Sequence, residues 1–281
     1  MANTLPVELV RDILELSARN AAAQDLPWVA QLALICRGVY EWIYPVLYET
    51  VGIDERTQDA FFALVEQKPA SFFGVVRHLM LLWAIPPGVL QQRFLDAFHH
   101  VQRFTAHMRG LRFMTRAAGF RPTRLVLTSS STEPVNDALH SITVLQYVTH
   151  LHVREDHGFY SVHWDEISTL MPLLSHIRID ADASWRDSTT VLRTQVTSIL
   201  QLPSCRRVVV RYSVHSLSLW KELVAALQSL GDARIYVYRP TRAERQLRDS
   251  PAGWLAHFVA EARAGVDPWI IGRPVYKAPD P

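Results

Sequence analysis

The stretch CRRVVVRYS at 205–213 decides the fold, because the chain writes a version of it six times. VVRHLMLLW at 75–83, PTRLVLTSS at 122–130, VTHLHVRED at 148–156, LSHIRIDAD at 174–182 and DARIYVYRP at 232–240 each set a basic or histidine residue before an apolar-x-apolar triplet. Alternation of period two marks a strand whose two apolar side chains share one face. With the first apolar residue as anchor, the copies align on Leu79, Leu125, Leu151, Ile177, Val208 and Ile235. Successive anchors lie 46, 26, 26, 31 and 27 residues apart, so four of five intervals fall in a narrow band and the chain reads as a repeat protein.

The intervals carry helical periodicity. Ile167, Leu170, Met171 and Leu174 form one stripe, as do Trp220, Leu223, Val224 and Leu227, with Gly231 placed as a stop. Strand, helix and strand at this pitch demand a parallel sheet, since parallel neighbours need a crossover. The expected fold class is α/β: a curved, right-handed αβ solenoid with strands on the inside of the curve. In pitch and pattern it resembles degenerate leucine-rich repeats, without their asparagine-bearing signature.

Composition fits a soluble globular chain: 49% apolar, 20% charged and a formal net charge of +2 over 281 residues. Cys36 and Cys205 stand far apart with no metal-ligand spacing, which points to a reducing, intracellular compartment, cytoplasm or nucleus. MANTLPVELV lacks the basic and apolar regions of a signal peptide. The most apolar stretch, residues 72–90, is interrupted by Arg77, His78, Pro86 and Pro87, so no membrane span is expected.

Residues 4–50 stand outside the repeat. Pro6 and Glu8 suit a helix start, and Leu9, Val10, Ile13, Leu14 and Leu16 cover an arc of about 160° at 100° per residue. Such a stripe is wide enough to serve an internal core and an external partner together. A polar connection, SARNAAAQD, is expected to lead to a second helix opened by Pro27 and running through Leu32, Leu34 and Ile35. Gly38 is read as the break before a third helix, which Pro45 should end.

LPVELVRDILEL, followed by LALICRGVYEWIYPVLYETV, resembles the F-box in the form common among fungal F-box proteins. The matching residues are Leu5, Pro6, Glu8, Leu9, Ile13 and Leu14, then Leu34, Ile35, Cys36 and Arg37, then Pro45, Leu47 and Tyr48. The spacer at 17–27 is longer than usual in that family, and only Trp42 could stand for the tryptophan often found after the Cys-Arg pair. The resemblance implies a substrate receptor of a Skp-cullin-F-box ubiquitin ligase, with no catalysis by this chain and no cofactor. Leu5, Pro6, Leu9, Ile13, Leu14, Leu34, Ile35, Pro45 and Leu47 would dock on the Skp adaptor. The solenoid would hold a target protein, raising its effective concentration near the ligase. The competing reading of residues 4–50 is a helical cap on the open end of the repeats.

The long interval between Leu79 and Leu125 contains residues 91–124, with seven arginines against one acid, Asp96. Such a segment can bind nucleic acid, acidic proteins or phosphates. The plainer reading is a solvated helical surface, with Phe94, Phe98, Val101 and Met108 buried and Gly110 breaking the helix; no nucleic-acid-binding motif accompanies it.

A second basic feature follows from strand parity. Arg124, His150, His176, Arg207 and Arg234, with His78, precede the anchors and should face the inside of the curve, joined by His152, Arg154, Arg178, Arg211 and Tyr236 further along. Neighbouring charges about 4.8 Å apart repel by about 1 kcal/mol even at the dielectric of water, so compensation is required. Either Glu155, Asp156, Asp180 and Asp182 supply it internally, or an acidic or phosphorylated partner segment does. A metal site at His150, His152, His157 and His163 lacks a converging carboxylate or cysteine pattern, and no metal is expected. No GxSxG elbow supports a hydrolase.

At the C-terminus, Trp254, Leu255, Phe258 and Val259 mark a buried helix face, and WIIG at 269–272 an extended piece. The expected organisation is an F-box-like helical domain at 1–50, a solenoid at 51–272 and a disordered tail at 273–281.

Overall fold

The computed structural model describes residues 5–82, 85–128, 142–154, 163–182, 188–213, 216–241, 244 and 251–276. The chain is a mixed α/β protein built on one open, nine-stranded sheet. Its strands are β1 (Thr50–Ile53), β2 (His78–Leu81), β3 (Arg103–Ala106), β4 (Arg124–Thr128), β5 (His150–Arg154), β6 (His176–Asp182), β7 (Arg207–Ser213), β8 (Ile235–Tyr238) and β9 (Arg273–Pro274). Each strand pairs with the next in sequence; β1 to β8 are parallel and β9 closes the row antiparallel to β8.

All six sequence anchors fall in one register row. Val51, Leu79, Phe104, Leu125, Leu151, Ile177, Val208 and Ile235 are successive partners across the sheet, and all are buried. Two residues further on, Ile53, Leu81, Ala106, Leu127, Val153, Ile179, Val210 and Val237 form a second buried row. Helices between the strands cover this face. They are α4 (Gln58–Gln67), α5 (Gln91–Phe98), α6 (Met108–Met114), α7 (Trp164–Leu170), α8 (Ser188–Leu200) and α9 (Leu217–Gln228). Phe62, Phe94, Leu111, Ile167, Leu192 and Leu223 point from them into one continuous core. Each such aliphatic or aromatic side chain contributes about 1.5–3 kcal/mol by leaving water.

The long interval is regular after all: β3 sits in its middle. Phe94, Phe98, Val101 and Met108 are buried as expected, while Arg93, Arg109, Arg112, Arg116 and Arg121 are exposed. Gly110 lies inside α6 rather than ending it. A Cβ there would meet the Ala106 Cβ at 3.1 Å and the Leu81 carbonyl oxygen at 3.5 Å, so the glycine lets α6 approach the sheet.

The N-terminal unit consists of α1 (Val7–Ala21), α2 (Leu26–Leu32) and α3 (Arg37–Tyr48) around its own core of Ala18, Val29, Val39 and Ile43. Several boundaries differ from expectation. Helix α1 runs into the presumed connection as far as Ala21, where Ala18 and, just past the helix end, Ala22 are small enough to pack closely. Asp25 caps α2, its Oδ1 accepting from Trp28 N at 3.0 Å, and α2 stops at Leu32, leaving Leu34 and Ile35 in a turn. Neither Gly38 nor Pro45 breaks the chain: both lie within α3. Tyr44 and Tyr48 of α3 pack against Phe72, in the helical turn before β2, at ring distances of 5.0 and 5.4 Å, fastening this unit to the main core.

The opposite face of the sheet is covered too. Helix α10 (Pro251–Arg263) and the turn after it lie across it, and Phe258 and Trp269 join Met80, Leu82 and Val126 in a separate apolar cluster. The chain then returns through Gly272, whose φ of +96° and 2.9 Å approach to the Val237 carbonyl oxygen exclude a side chain. The tail expected to be disordered from Arg273 is therefore structured as far as Tyr276. Arg273–Pro274 form β9, where WIIG was expected to be extended, and Val275 is buried and donates its N–H to Ile235 O at 3.0 Å. Residues 277–281 lie outside the described residues.

Candidate functional site

Two surfaces carry the residues singled out from sequence, and the structure treats them oppositely. The first is the N-terminal unit. On α1, Leu9, Ile13 and Leu16 succeed one another at helical spacing on one face, and they are 44, 48 and 61% exposed. In the α2–α3 turn, Leu34 and Ile35 are 82 and 63% exposed. Leu5 and Pro6 at the start of α1 are exposed as well. Leu14 and Leu47 instead pack against the small core, and Pro45 is half-buried inside α3. Of the nine residues expected to meet a partner, six are thus presented to solvent and three mainly support them. Large apolar side chains thus lie exposed on a small unit that already has its own core.

The second surface, expected to lie open, is the underside of α10. His152, Arg178 and Arg211 are fully buried. Their compensation is internal, and Asp180 is its centre. Arg178 donates Nε to Asp180 Oδ1 at 2.8 Å and Nη2 to Oδ2 at 3.4 Å, and His152 Nε2 lies 3.2 Å from Oδ1. Arg211 sits 4.0 Å from Asp180 and 3.9 Å from Glu244. Arg178 Nη1 also donates to Pro268 O at 3.4 Å, and Trp269 Nε1 donates to Leu151 O at 3.1 Å, tying the C-terminal segment to the sheet. Burial alone would raise the Glu261 carboxyl, but His257, Arg178 and Arg211 together hold it below its usual range. Glu244, His257 and Glu261 form a cluster with metal-ligand character among the described residues, and Arg211 already gives it a counter-charge.

Of the residues leading into the strands, His78 is buried, whereas Arg124, His150, His176, Arg207 and Arg234 keep partial exposure. His150 and His176 stack at 4.3 Å, and Trp269 meets His150 edge-on. Burial, then the neighbouring His176 and Arg124, lowers His150 to about 4, and burial likewise lowers His176, so both are neutral at pH 7. Arg124 pairs with Asp267 at 3.3 Å. Arg207 donates to Ile270 O at 2.8 Å and lies over the Tyr236 ring. Arg234 is engaged by Asp232 and the carbonyls of Leu200 and Cys205, so it knits the strand edges. The side chain of Arg154, with Glu155, Asp156, His157 and the side chain of Asp182, lies outside the described residues, as do the side chains of Trp254 and Leu255.

Where one ligand segment was expected along the strands, Arg124, His150, His152, Arg178 and Arg207 instead meet the chain's own C-terminal segment. Sequence reasoning missed this, although HLMLL, RLVL and RVVV carry apolar residues at both parities, the mark of strands buried on two faces. No protein-family model matches the chain, and no curated protein matches it. No described helix is long and apolar enough to cross a membrane.

Proposed function

We propose that this chain is the substrate-recognition subunit of a Skp-cullin-F-box ubiquitin ligase. Its N-terminal unit acts as the F-box that docks on the Skp adaptor, and the strand-helix repeats form a curved solenoid that holds the protein to be ubiquitinated. The observation that carries this reading is the exposure of Leu9, Ile13, Leu16, Leu34 and Ile35 on a helical unit whose core is already filled by Ala18, Val29 and Ile43. A helical cap serving only the repeats would turn its largest apolar residues toward them and leave a polar outer face. The chain itself performs no bond chemistry in this reading; it brings two proteins together.

Because the polar face of the sheet is covered, target capture by Arg178, Arg211 and His152 is withdrawn from the proposal. Of the expected capture residues, Arg124, His150, His176, Arg207, Arg234 and Tyr236 retain partial exposure, and they confine the target surface to the rim where the strands begin.

The test is titration of the purified chain with the Skp adaptor, alongside Leu9→Asp and Ile13→Asp. Both side chains are exposed, so the variants should fold, as circular dichroism would check. Tight binding by the native chain, weakened at least tenfold in each folded variant, is the expected result. A native chain that folds and does not bind the adaptor removes the proposal.

A further inference from the structure

Between the end of α1, the leading ends of β1 to β4 and the segment after α10 lies a cleft of about 710 Å³. Its wall is dominated by arginine. Arg19 and Arg124 are paired there, with Glu49 at 3.1 Å and Asp267 at 3.3 Å respectively. Arg77, Arg103 and Arg263 also line the cleft, and no carboxylate among the described residues makes an ion pair with any of them. Two of these three are costly to keep as they are. The Nε atoms of Arg103 and Arg263 are buried without a hydrogen-bond partner. Burial, then the nearby charge of Arg124, pulls the Arg103 guanidinium down to about 10, and burial lowers Arg263 in the same direction. Arg103 lies over the Trp269 ring at 5.3 Å and feels Asp267 and Glu261 only from beyond ion-pair distance, and Arg263 Nη2 donates to Thr50 O at 3.4 Å.

We propose that this cleft binds a small ligand bearing a diphosphate group. Three guanidinium groups in excess of the acids match the charge of a diphosphate. Their planar forks offer paired N–H donors to its oxygens, in a recess where water screens poorly. The volume admits such a group with a modest organic portion, which Ala22, Val46 and Val266 on the wall would touch. The cleft joins the helical unit to the sheet and the C-terminal segment, so a ligand there would brace all three. This inference does not depend on the docking surface of α1, which lies elsewhere on the helical unit and has its own readout.

The experiment is calorimetric titration of the full chain with inorganic pyrophosphate at fixed ionic strength, comparing the native chain with Arg77→Gln, Arg263→Gln and, as a control, Arg109→Gln combined with Arg116→Gln. Arg77 is exposed, so its replacement should leave the fold intact even if that of Arg263 does not. One-to-one binding that Arg77→Gln weakens by about tenfold, with the control unchanged, is expected. Absence of binding overturns the proposal. So does binding that the control loses and Arg77→Gln keeps, which would place the anion on the exposed arginines of residues 91–124.

Discussion

Asp180 shows how much one side chain holds. It accepts from Arg178, faces His152 and lies within reach of Arg211, all beneath α10. Removing one member of a buried ionic group leaves the others uncompensated, at a cost of about 3–5 kcal/mol. Urea unfolding of Asp180→Asn should show a loss of that order, and a loss below about 1 kcal/mol would contradict the arrangement. The histidines make a second prediction. His150 is lowered to about 4 from an ordinary 6.5, and His78 and His176 are lowered too. Each is a base that binds a proton less readily when folded, so the unfolded chain takes protons first as the pH falls. Stability from these groups is complete above about 6.5 and is lost as the pH falls toward 4. The urea midpoint should decline through that window, and a midpoint that stays level would refute the assignment.

Among the elements, the anchors were legible because each strand announces itself by a basic residue and an alternating triplet. Strand β3 was not, since RFTA has one large apolar residue and sits among arginines that read as a helical surface. The break expected at Gly110 failed for a spatial reason: the glycine answers to Ala106 and Leu81 across a helix–sheet contact, which local sequence cannot state. The exposed stripe of α1 was readable from its width, whereas the fate of Arg178 and Arg211 depended on a helix that begins forty or more residues further along the chain. That helix and its turn should be essential to the fold. Trp269 is fully buried, meets the rings or guanidinium groups of His150, Arg103 and Arg124, and donates to Leu151 O. Trp269→Ala should cost about 3–5 kcal/mol and open the polar face to hydrogen exchange. Unchanged stability would mean that the C-terminal segment does not cover the sheet in solution.

For the whole molecule, the helical unit and the repeats have separate cores with different neighbours. Ala18, Val29 and Ile43 fill the helical unit, while the rows led by Leu151 and Ile177 fill the repeats. Damage to the second should spare the first, as expected where contacts are mainly between sequential neighbours. Leu151→Ala should lower stability by about 2–5 kcal/mol and leave adaptor binding intact under native conditions; joint loss of both would show the units to be inseparable. The central claim is that the exposed apolar residues of α1 and the α2–α3 turn meet the Skp adaptor. Hydrogen exchange on the chain with and without the adaptor tests it most directly. Slowed exchange confined to residues 5–48 is the predicted result; slowed exchange confined to the strands, or none anywhere in the presence of saturating adaptor, would contradict it.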